Sequence, residues 1–173
     1  MIAAMTQRPS LKAPRILLAT WFGAGYAPKA PGTFGSLAAL PVGWIIAVSG
    51  GWEILFAAAV LVTLIGIWAA NGYMAESGAH DPGPVVIDEV AGQWLAMVPA
   101  SALGEPSVLG IALAFVLFRL FDILKPWPIS WADKSVGGGF GVMLDDVLAG
   151  VAAGLIWLAV YKWIPGAAAL IGG

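Results

Sequence analysis

The sequence predicts an all-α, polytopic membrane protein: a bundle of four to five membrane helices with an additional N-terminal interfacial helix. The 173 residues are 60% hydrophobic and only 10% charged, whereas soluble domains carry roughly 25% charged residues. A chain this apolar cannot cover a water-facing surface with polar groups, so lipid must cover much of it. The length suits one domain, residues 1–173.

Five apolar stretches account for the predicted helices. A membrane-spanning helix needs about 20 residues, with a range of about 17–25. The stretches 52–71, 108–124 and 144–163 meet this length once their polar ends are included. The stretch 34–49 is marginal because it contains a proline, and 90–103 is short. We therefore expect four or five spans.

A short basic and apolar segment precedes the first stretch. Residues 15–22 begin with Arg15 and end with Trp21 and Phe22, a pattern typical of a helix that lies in the membrane interface. The apolar run is too short for a cleavable signal peptide, and no small-residue cleavage site follows it. We expect the membrane segments themselves to direct insertion.

Basic residues are concentrated on one side of the predicted topology. With five spans and a cytoplasmic N-terminus, the N-terminal segment and the loops 72–89 and 125–143 face the cytoplasm. The connections on the opposite side, at 50–51 and 104–107, contain no lysine or arginine. Lys162, near the end of the last stretch, is the one basic residue close to that side. The positive-inside rule therefore predicts a cytoplasmic N-terminus. The basic residues on that side are Arg8, Lys12, Arg15, Lys29, Lys125 and Lys134.

This topology brings five carboxylates to the cytoplasmic ends of three predicted helices. Like charges crowded at a membrane boundary repel one another, and a divalent cation relieves that repulsion. Oxygen-only ligands select a hard cation, Mg²⁺ before transition metals. The alternative is that these charges merely mark where the helices leave the lipid. The candidate metal ligands and catalytic residues are Asp88, Glu89, Asp122, Asp145 and Asp146.

Two cations lie close to one of these carboxylates. Arg119 and Asp122 are three residues apart and share a helix face, and Lys125 continues that face although Pro126 ends the helix. Arg119 lies about one turn inside the apolar run, where an unpaired charge is costly. Either Arg119 and Asp122 form a structural pair, or Asp122 binds metal while Arg119 and Lys125 neutralise phosphate oxygens.

A second candidate element is the proline- and glycine-containing segment 27–36. Its prolines stiffen the approach, and Gly32 lets the backbone come close to a ligand. Thr33 and Ser36 supply hydroxyls where a helix begins, and free N–H groups there favour an anion. Lys29 adds positive charge. The alternative is that Thr33 simply caps the helix.

Other features narrow the chemistry. The glycine-rich run 137–141 is read as a mobile loop over a headgroup, a close-approach surface or a plain hinge. His80 lies in a polar loop and is predicted to be solvent-exposed. Since the chain has no cysteine and one histidine, cysteine phosphatases and acid phosphatases with a histidine pair are excluded. A net charge of −2 indicates no nucleic-acid partner.

Four blocks of the sequence resemble the phosphatidylglycerophosphatase A family. They are KAPGTFGS at 29–36, VIDEVAG at 86–92, FRLFDILKP at 118–126 and GFGVMLDDVLAG at 139–150. The blocks keep the family order, and the resemblance covers roughly residues 20–155.

The resemblance implies a multi-pass phosphatase of the bacterial inner membrane that depends on Mg²⁺ and works on the cytoplasmic face. Its substrate would be the membrane lipid phosphatidylglycerophosphate, and its products phosphatidylglycerol and phosphate. The family's acidic residues map onto the five carboxylates. The nucleophile, water or an aspartate, and the oligomeric state stay open. The basic and hydroxyl positions map onto Lys29, Thr33, Ser36, Arg119 and Lys125, with the Gly32 backbone beside them.

Two other functions are alternatives to this one. A small divalent-cation or anion transporter would line a pathway with carboxylates, but such a pathway also needs polar residues near the midplane. Another lipid phosphotransferase would differ in whether water or an alcohol accepts the phosphoryl group.

Overall fold

The computed structural model describes residues 9–80, 82–104 and 106–172, and every regular element within these ranges is helical, as predicted. Arg8 and the ends of the predicted domain lie outside the described residues. A short 3₁₀ helix, Ala24–Tyr26, follows the first α-helix. The α-helices are α1 (Pro14–Ala19), α2 (Pro31–Ser77), α3 (Ile87–Ala102), α4 (Val108–Leu124), α5 (Ile129–Ser135), α6 (Gly138–Trp163) and α7 (Ala167–Ile171).

Helix α2 bends sharply at Gly51, whose φ of 76° is a conformation that glycine adopts without strain. A straight helix of its 47 residues would be about 70 Å long. Yet Gly32 packs against the start of α3, and Asn71 accepts a hydrogen bond from the start of α6. These two helix starts lie at the same end of the protein. Helix α2 is therefore a hairpin with arms 31–50 and 52–77.

Among the described residues, two helices are long and apolar enough to cross a membrane, α2 and α6, fewer than the four to five predicted. The difference arises because α2 combines the first two apolar stretches, while α3 and α4 have only 16 and 17 residues. In the most apolar 18-residue stretch of α2, only 28% of the residues are buried within the protein. In the corresponding stretch of α6, 44% are buried. Since most of their apolar surface lacks a protein cover, these helices indicate membrane association.

Helix α3 is the centre of the bundle and packs against α2, α4 and α6. It crosses α6 very closely at Gly92 and Gly150. A Cβ on Gly150 would lie 2.9 Å from the Gly92 Cα, and a Cβ on Gly92 would overlap the Asp146 carbonyl. Only glycine at both positions allows the two backbones to approach so closely. This crossing sets the distance between the acidic starts of the two helices.

Two deep tryptophans fasten neighbouring helices to each other. The Trp94 indole N–H on α3 donates to the Ala39 carbonyl at 2.9 Å, and the Trp157 indole N–H on α6 donates to the Gly110 carbonyl at 2.8 Å. Both rings are buried, so their polar atoms need these partners.

The N-terminal segment braces the start of α3. A helix forms here as predicted, although it ends at Ala19, and Trp21 and Phe22 follow it with φ values of 45° and 56°. Ile16 is buried against α2, and the Ala19 carbonyl accepts a hydrogen bond of 2.8 Å from the Val86 N–H. The residue before α3 is thus held by the residue that ends α1.

Candidate active site

The ends of α2, α3, α4 and α6 enclose a cleft of about 380 Å³. The acidic residues of α3 lie in its first turn, where the helix dipole favours negative charge. Asp122 of α4 reaches the same cleft from the end of its helix, and Asp145 and Asp146 reach it from the second and third turns of α6. The predicted residues that line it are Gly32, Asp88, Glu89, Arg119, Asp122, Lys125, Asp145 and Asp146.

Three of the five carboxylates are close enough to share a metal ion. Asp88, Glu89 and Asp146 each offer a carboxylate oxygen, and these oxygens lie within 4.8 Å of one another. The set contains only oxygen ligands, which fits a hard divalent cation. Asp146 is buried with 3% exposure, so its charge needs a cation as compensation. We call these three residues the acidic trio.

The other two carboxylates, Asp122 and Asp145, lie outside the acidic trio, and each forms an ion pair. Arg119 contacts Asp122 at 2.9 Å and also contacts Glu89 of the acidic trio. The same guanidinium donates to the Ser36 hydroxyl at 3.3 Å. The Arg119–Asp122 pair expected from the spacing therefore exists, and Arg119 also lines the cleft. A structural pair and a phosphate-binding role are compatible here.

Lys125 is the second cation of the cleft. It follows the last turn of α4 with a φ of 43°, which turns the chain sharply before Pro126. Its ammonium contacts Asp145 at 2.7 Å and also contacts Asp133 on α5. Burial alone would lower the pKa of Lys125, but the hydrogen bonds to Asp133 and Asp145 outweigh it and raise that pKa above its usual value. Lys125 is therefore a permanent positive charge.

Ser36 supports a carboxylate rather than lining the cleft. It is fully buried, and its hydroxyl lies 2.9 Å from both the Glu89 carboxylate and the Gly32 carbonyl. A hydroxyl has one proton to donate, so one of these oxygens receives it at a time. The contact with Glu89 orients a member of the acidic trio.

Lys29 and Thr33 do not line the cleft. Lys29 is exposed and Thr33 is partly buried just inside α2. The N-cap of α2 is Ala30, with no side-chain cap, so the alternative in which Thr33 caps the helix is wrong. Gly32 lies at the lining, where a Cβ would overlap the Glu89 carboxylate. Its lack of a side chain is needed for the acidic trio to form.

The glycine-rich run is a close-approach surface rather than a loop. Gly138 begins α6, and a Cβ on Gly139 would overlap the Ile67 carbonyl of α2. The Gly139 N–H donates to the Asn71 side chain at 2.7 Å. These contacts seat the start of α6 against the second arm of α2 and bring Asp145 to the cleft.

Two ionisable residues were not predicted to line the cleft. His80 is exposed, as predicted, but it also lines the cleft, and Asp133 lines it from α5. Asp133 is eight residues from Lys125, with a proline-containing turn and the first turn of α5 between them. No local spacing rule brings such a pair together, so the sequence held no signal for it.

An acidic trio beside an arginine and a lysine, in a cleft among helix ends, is the class of site that is chemically suited to bind a phosphate group together with a divalent cation. Comparisons with known proteins narrow this class. The family model described as Phosphatidylglycerophosphatase A matches residues 17–161. The chain therefore belongs to the phosphatidylglycerophosphatase A family.

Individual relatives agree with this membership. Phosphatidylglycerophosphatase A of Escherichia coli (strain K12) is 38% identical over 157 residues, which cover 90% of this chain and 89% of that protein. The Haemophilus influenzae protein of the same name is 39% identical over 155 residues, with coverages of 90% and 93%. A Bacteroides thetaiotaomicron protein, named provisionally as a phosphatidylinositol-3-phosphatase, is 38% identical over 155 residues, with coverages of 87% and 95%. No solved structure gives a significant match.

Proposed function

We propose that this protein is a magnesium-dependent lipid phosphatase that hydrolyses phosphatidylglycerophosphate to phosphatidylglycerol and phosphate. The observation that carries the proposal is the cleft in which the acidic trio faces Arg119 and Lys125. Family membership supports the enzyme class, a phosphoric monoester hydrolase of phospholipid synthesis.

We also propose that the protein resides in the bacterial inner membrane. The two arms of α2, together with α4 and α6, make four passes, and α3 adds a shorter fifth segment inside the bundle. The N-terminus and the cleft face the cytoplasm, as the distribution of basic residues indicates. Apolar side chains exposed on α2, α4 and α6 support this arrangement, among them Leu64, Val116 and Leu155. The phosphate then reaches the cleft while the acyl chains stay in lipid.

Each part of the cleft has a distinct task in this reaction. When bound by the acidic trio, magnesium would neutralise phosphate charge and make the phosphorus easier to attack. Arg119 and Lys125 donate hydrogen bonds to phosphate oxygens and offset the charge that grows in the transition state. Asp122 and Asp145 hold these two cations at the cleft. Water attacks the phosphorus directly, or an aspartate attacks first and water then releases the phosphate. In either case a new P–O bond forms and the bond from phosphorus to the glycerol oxygen breaks.

The Bacteroides relative supports a second candidate substrate, phosphatidylinositol 3-phosphate. Both lipids present a phosphomonoester on a polar headgroup, and the cations of the cleft would recognise that group in either one. The two substrates differ in the ring or chain that carries the phosphate. A side-by-side measurement separates them.

The test is phosphate release by the purified protein in mixed micelles. Phosphatidylglycerophosphate and phosphatidylinositol 3-phosphate are compared with Mg²⁺ and then with excess EDTA. We expect release from phosphatidylglycerophosphate that stops in EDTA and returns when Mg²⁺ is restored. Undiminished release in EDTA would disprove the metal dependence. No release from either lipid by folded protein would refute the proposal and favour a transporter, whose activity ion-flux assays in liposomes would reveal.

Arg119→Lys should lower kcat/KM about 10- to 100-fold, because lysine is a point charge and cannot donate to Glu89, Asp122 and a phosphate from one planar group. The measurement is initial-rate kinetics on phosphatidylglycerophosphate. The control is Arg15→Lys, which alters an arginine ion-paired with Glu76 outside the cleft and should leave kcat/KM unchanged. Equal effects of the two substitutions would contradict the role given to Arg119.

A further inference from the structure

Asp133 lines the cleft but lies between the third and fourth family blocks, and the proposed reaction gives it no task. It is on the short helix α5, and its carboxylate accepts a hydrogen bond from the Lys125 ammonium. Its side chain is 33% exposed, so ions entering the cleft can approach it. Lys125 is already held by Asp145 at 2.7 Å. Asp133 is therefore not needed merely to neutralise the lysine.

The three charged groups together carry a net negative charge. One ammonium faces two carboxylates, Asp133 and Asp145. An ammonium has three N–H donors, and these two carboxylates occupy two of them. A phosphate that accepts a hydrogen bond from Lys125 has two choices. It displaces one of the carboxylates, or it uses the third N–H and lies close to both negative charges. Asp133 is the more readily displaced, since Asp145 is buried at 7% exposure and belongs to the long helix α6.

We propose that Asp133 competes with the phosphate group for Lys125 and so limits how tightly the cleft retains phosphate. This inference rests on the proposed function, because it gives Lys125 the task of binding phosphate. In the empty cleft Asp133 holds the ammonium at the lining. A phosphomonoester takes its place on Lys125, and Asp133 returns as the inorganic phosphate leaves. Asp133 acts through Lys125, so it is a positioning residue.

A purely structural role for Asp133 makes the opposite prediction. If Asp133 only ties α5 to the end of α4, removing its charge loosens Lys125 and weakens phosphate binding. If Asp133 competes with phosphate, removing its charge strengthens phosphate binding. The sign of the change therefore separates the two roles.

The experiment uses the full purified chain in detergent with Mg²⁺ and inorganic phosphate as the probe. The dissociation constant of phosphate is measured by calorimetry, and its inhibition constant is measured against phosphatidylglycerophosphate hydrolysis. We expect Asp133→Asn to lower both constants about 5- to 10-fold, because Lys125 then binds phosphate without first giving up its ion pair with Asp133. Asp133→Glu, which keeps the charge, should behave like the wild type.

The matched control is Glu76→Gln. Glu76 is 30% exposed and ion-paired with Arg15 outside the cleft, much as Asp133 is with Lys125 inside it. We expect no change in either constant. A second test places Asp133→Asn in a Lys125→Gln background, where the tightening should disappear because Lys125 carries the effect.

Unchanged or weaker phosphate binding in folded Asp133→Asn would overturn the inference. So would tightening that persists in the Lys125→Gln background, or phosphate binding too weak to detect in both wild type and variant. The calorimetric measurement of phosphate binding does not require hydrolysis of the lipid. A wild type that binds phosphate but does not hydrolyse the lipid, together with a tighter Asp133→Asn, would therefore refute the proposed function and support this inference.

Discussion

Replacing Asp146 by asparagine should lower kcat on phosphatidylglycerophosphate by on the order of 10³-fold, because the amide removes a charged ligand from the acidic trio. Asp146 is buried and shares a region only 4.8 Å across with Asp88 and Glu89. Initial-rate kinetics over a range of Mg²⁺ concentrations should show that the loss is greatest when Mg²⁺ is scarce.

The matched control is the neighbouring residue, Asp145. Asp145 is ion-paired with Lys125 and lies outside the acidic trio. Binding of Mn²⁺, followed by electron paramagnetic resonance, should be lost in Asp146→Asn and retained in Asp145→Asn. Because this readout does not depend on turnover, it reports on the metal site itself. Equal Mn²⁺ affinity in Asp146→Asn and wild type would show that the acidic trio is not the metal site.

Gly150→Ala should destabilise the protein by about 2–3 kcal/mol, since the added methyl group enters a space already filled by the α3 backbone. Its Cβ would lie 2.9 Å from the Gly92 Cα, and backbone atoms in the centre of a bundle cannot move aside as a side chain can. The expected readout is a lower thermal unfolding midpoint in detergent. Activity should also fall, because the same crossing separates the acidic starts of α3 and α6.

Gly154→Ala is the control for this substitution, one turn further along the same helix. A Cβ there would lie 3.3 Å from the Pro99 Cγ, a contact that a small side-chain adjustment relieves. We expect its unfolding midpoint to stay close to that of the wild type. If both alanine variants lose the same stability, the loss reflects general helix disturbance rather than the close crossing.

The sequence predicted the carboxylate cluster well because each acidic residue lies next to an apolar stretch. Once the stretches are drawn as helices, Glu89 and Asp146 must come to the same end of the bundle. The spacing of Arg119 and Asp122 likewise predicted their pair. The third partner of Arg119, Glu89, comes from another helix, and helix periodicity alone carries no information about such a contact.

The parts that were not predicted depend on tertiary contacts. Ser36 was assigned to the phosphate because a hydroxyl at a helix start suits an anion, yet in the fold its nearest charged neighbour is Glu89. Asp133 lies in a polar segment without helical periodicity, and only the packing of α5 brings it to Lys125. The count of spanning helices differed because the first two apolar stretches form the two arms of one bent helix, α2, and because α3 and α4 are short.

That bend also bears on how the chain enters the bilayer. The turn of the α2 hairpin consists of Ser49, Gly50 and Gly51, and none of them carries a charge. The nearest ionisable group is Glu53. In the topology proposed above, only this carboxylate would be translocated with the tip, and two apolar arms joined by so small a turn would enter the lipid as one unit. The polar edge of the cleft would then stay on the cytoplasmic side, where the chain is synthesised.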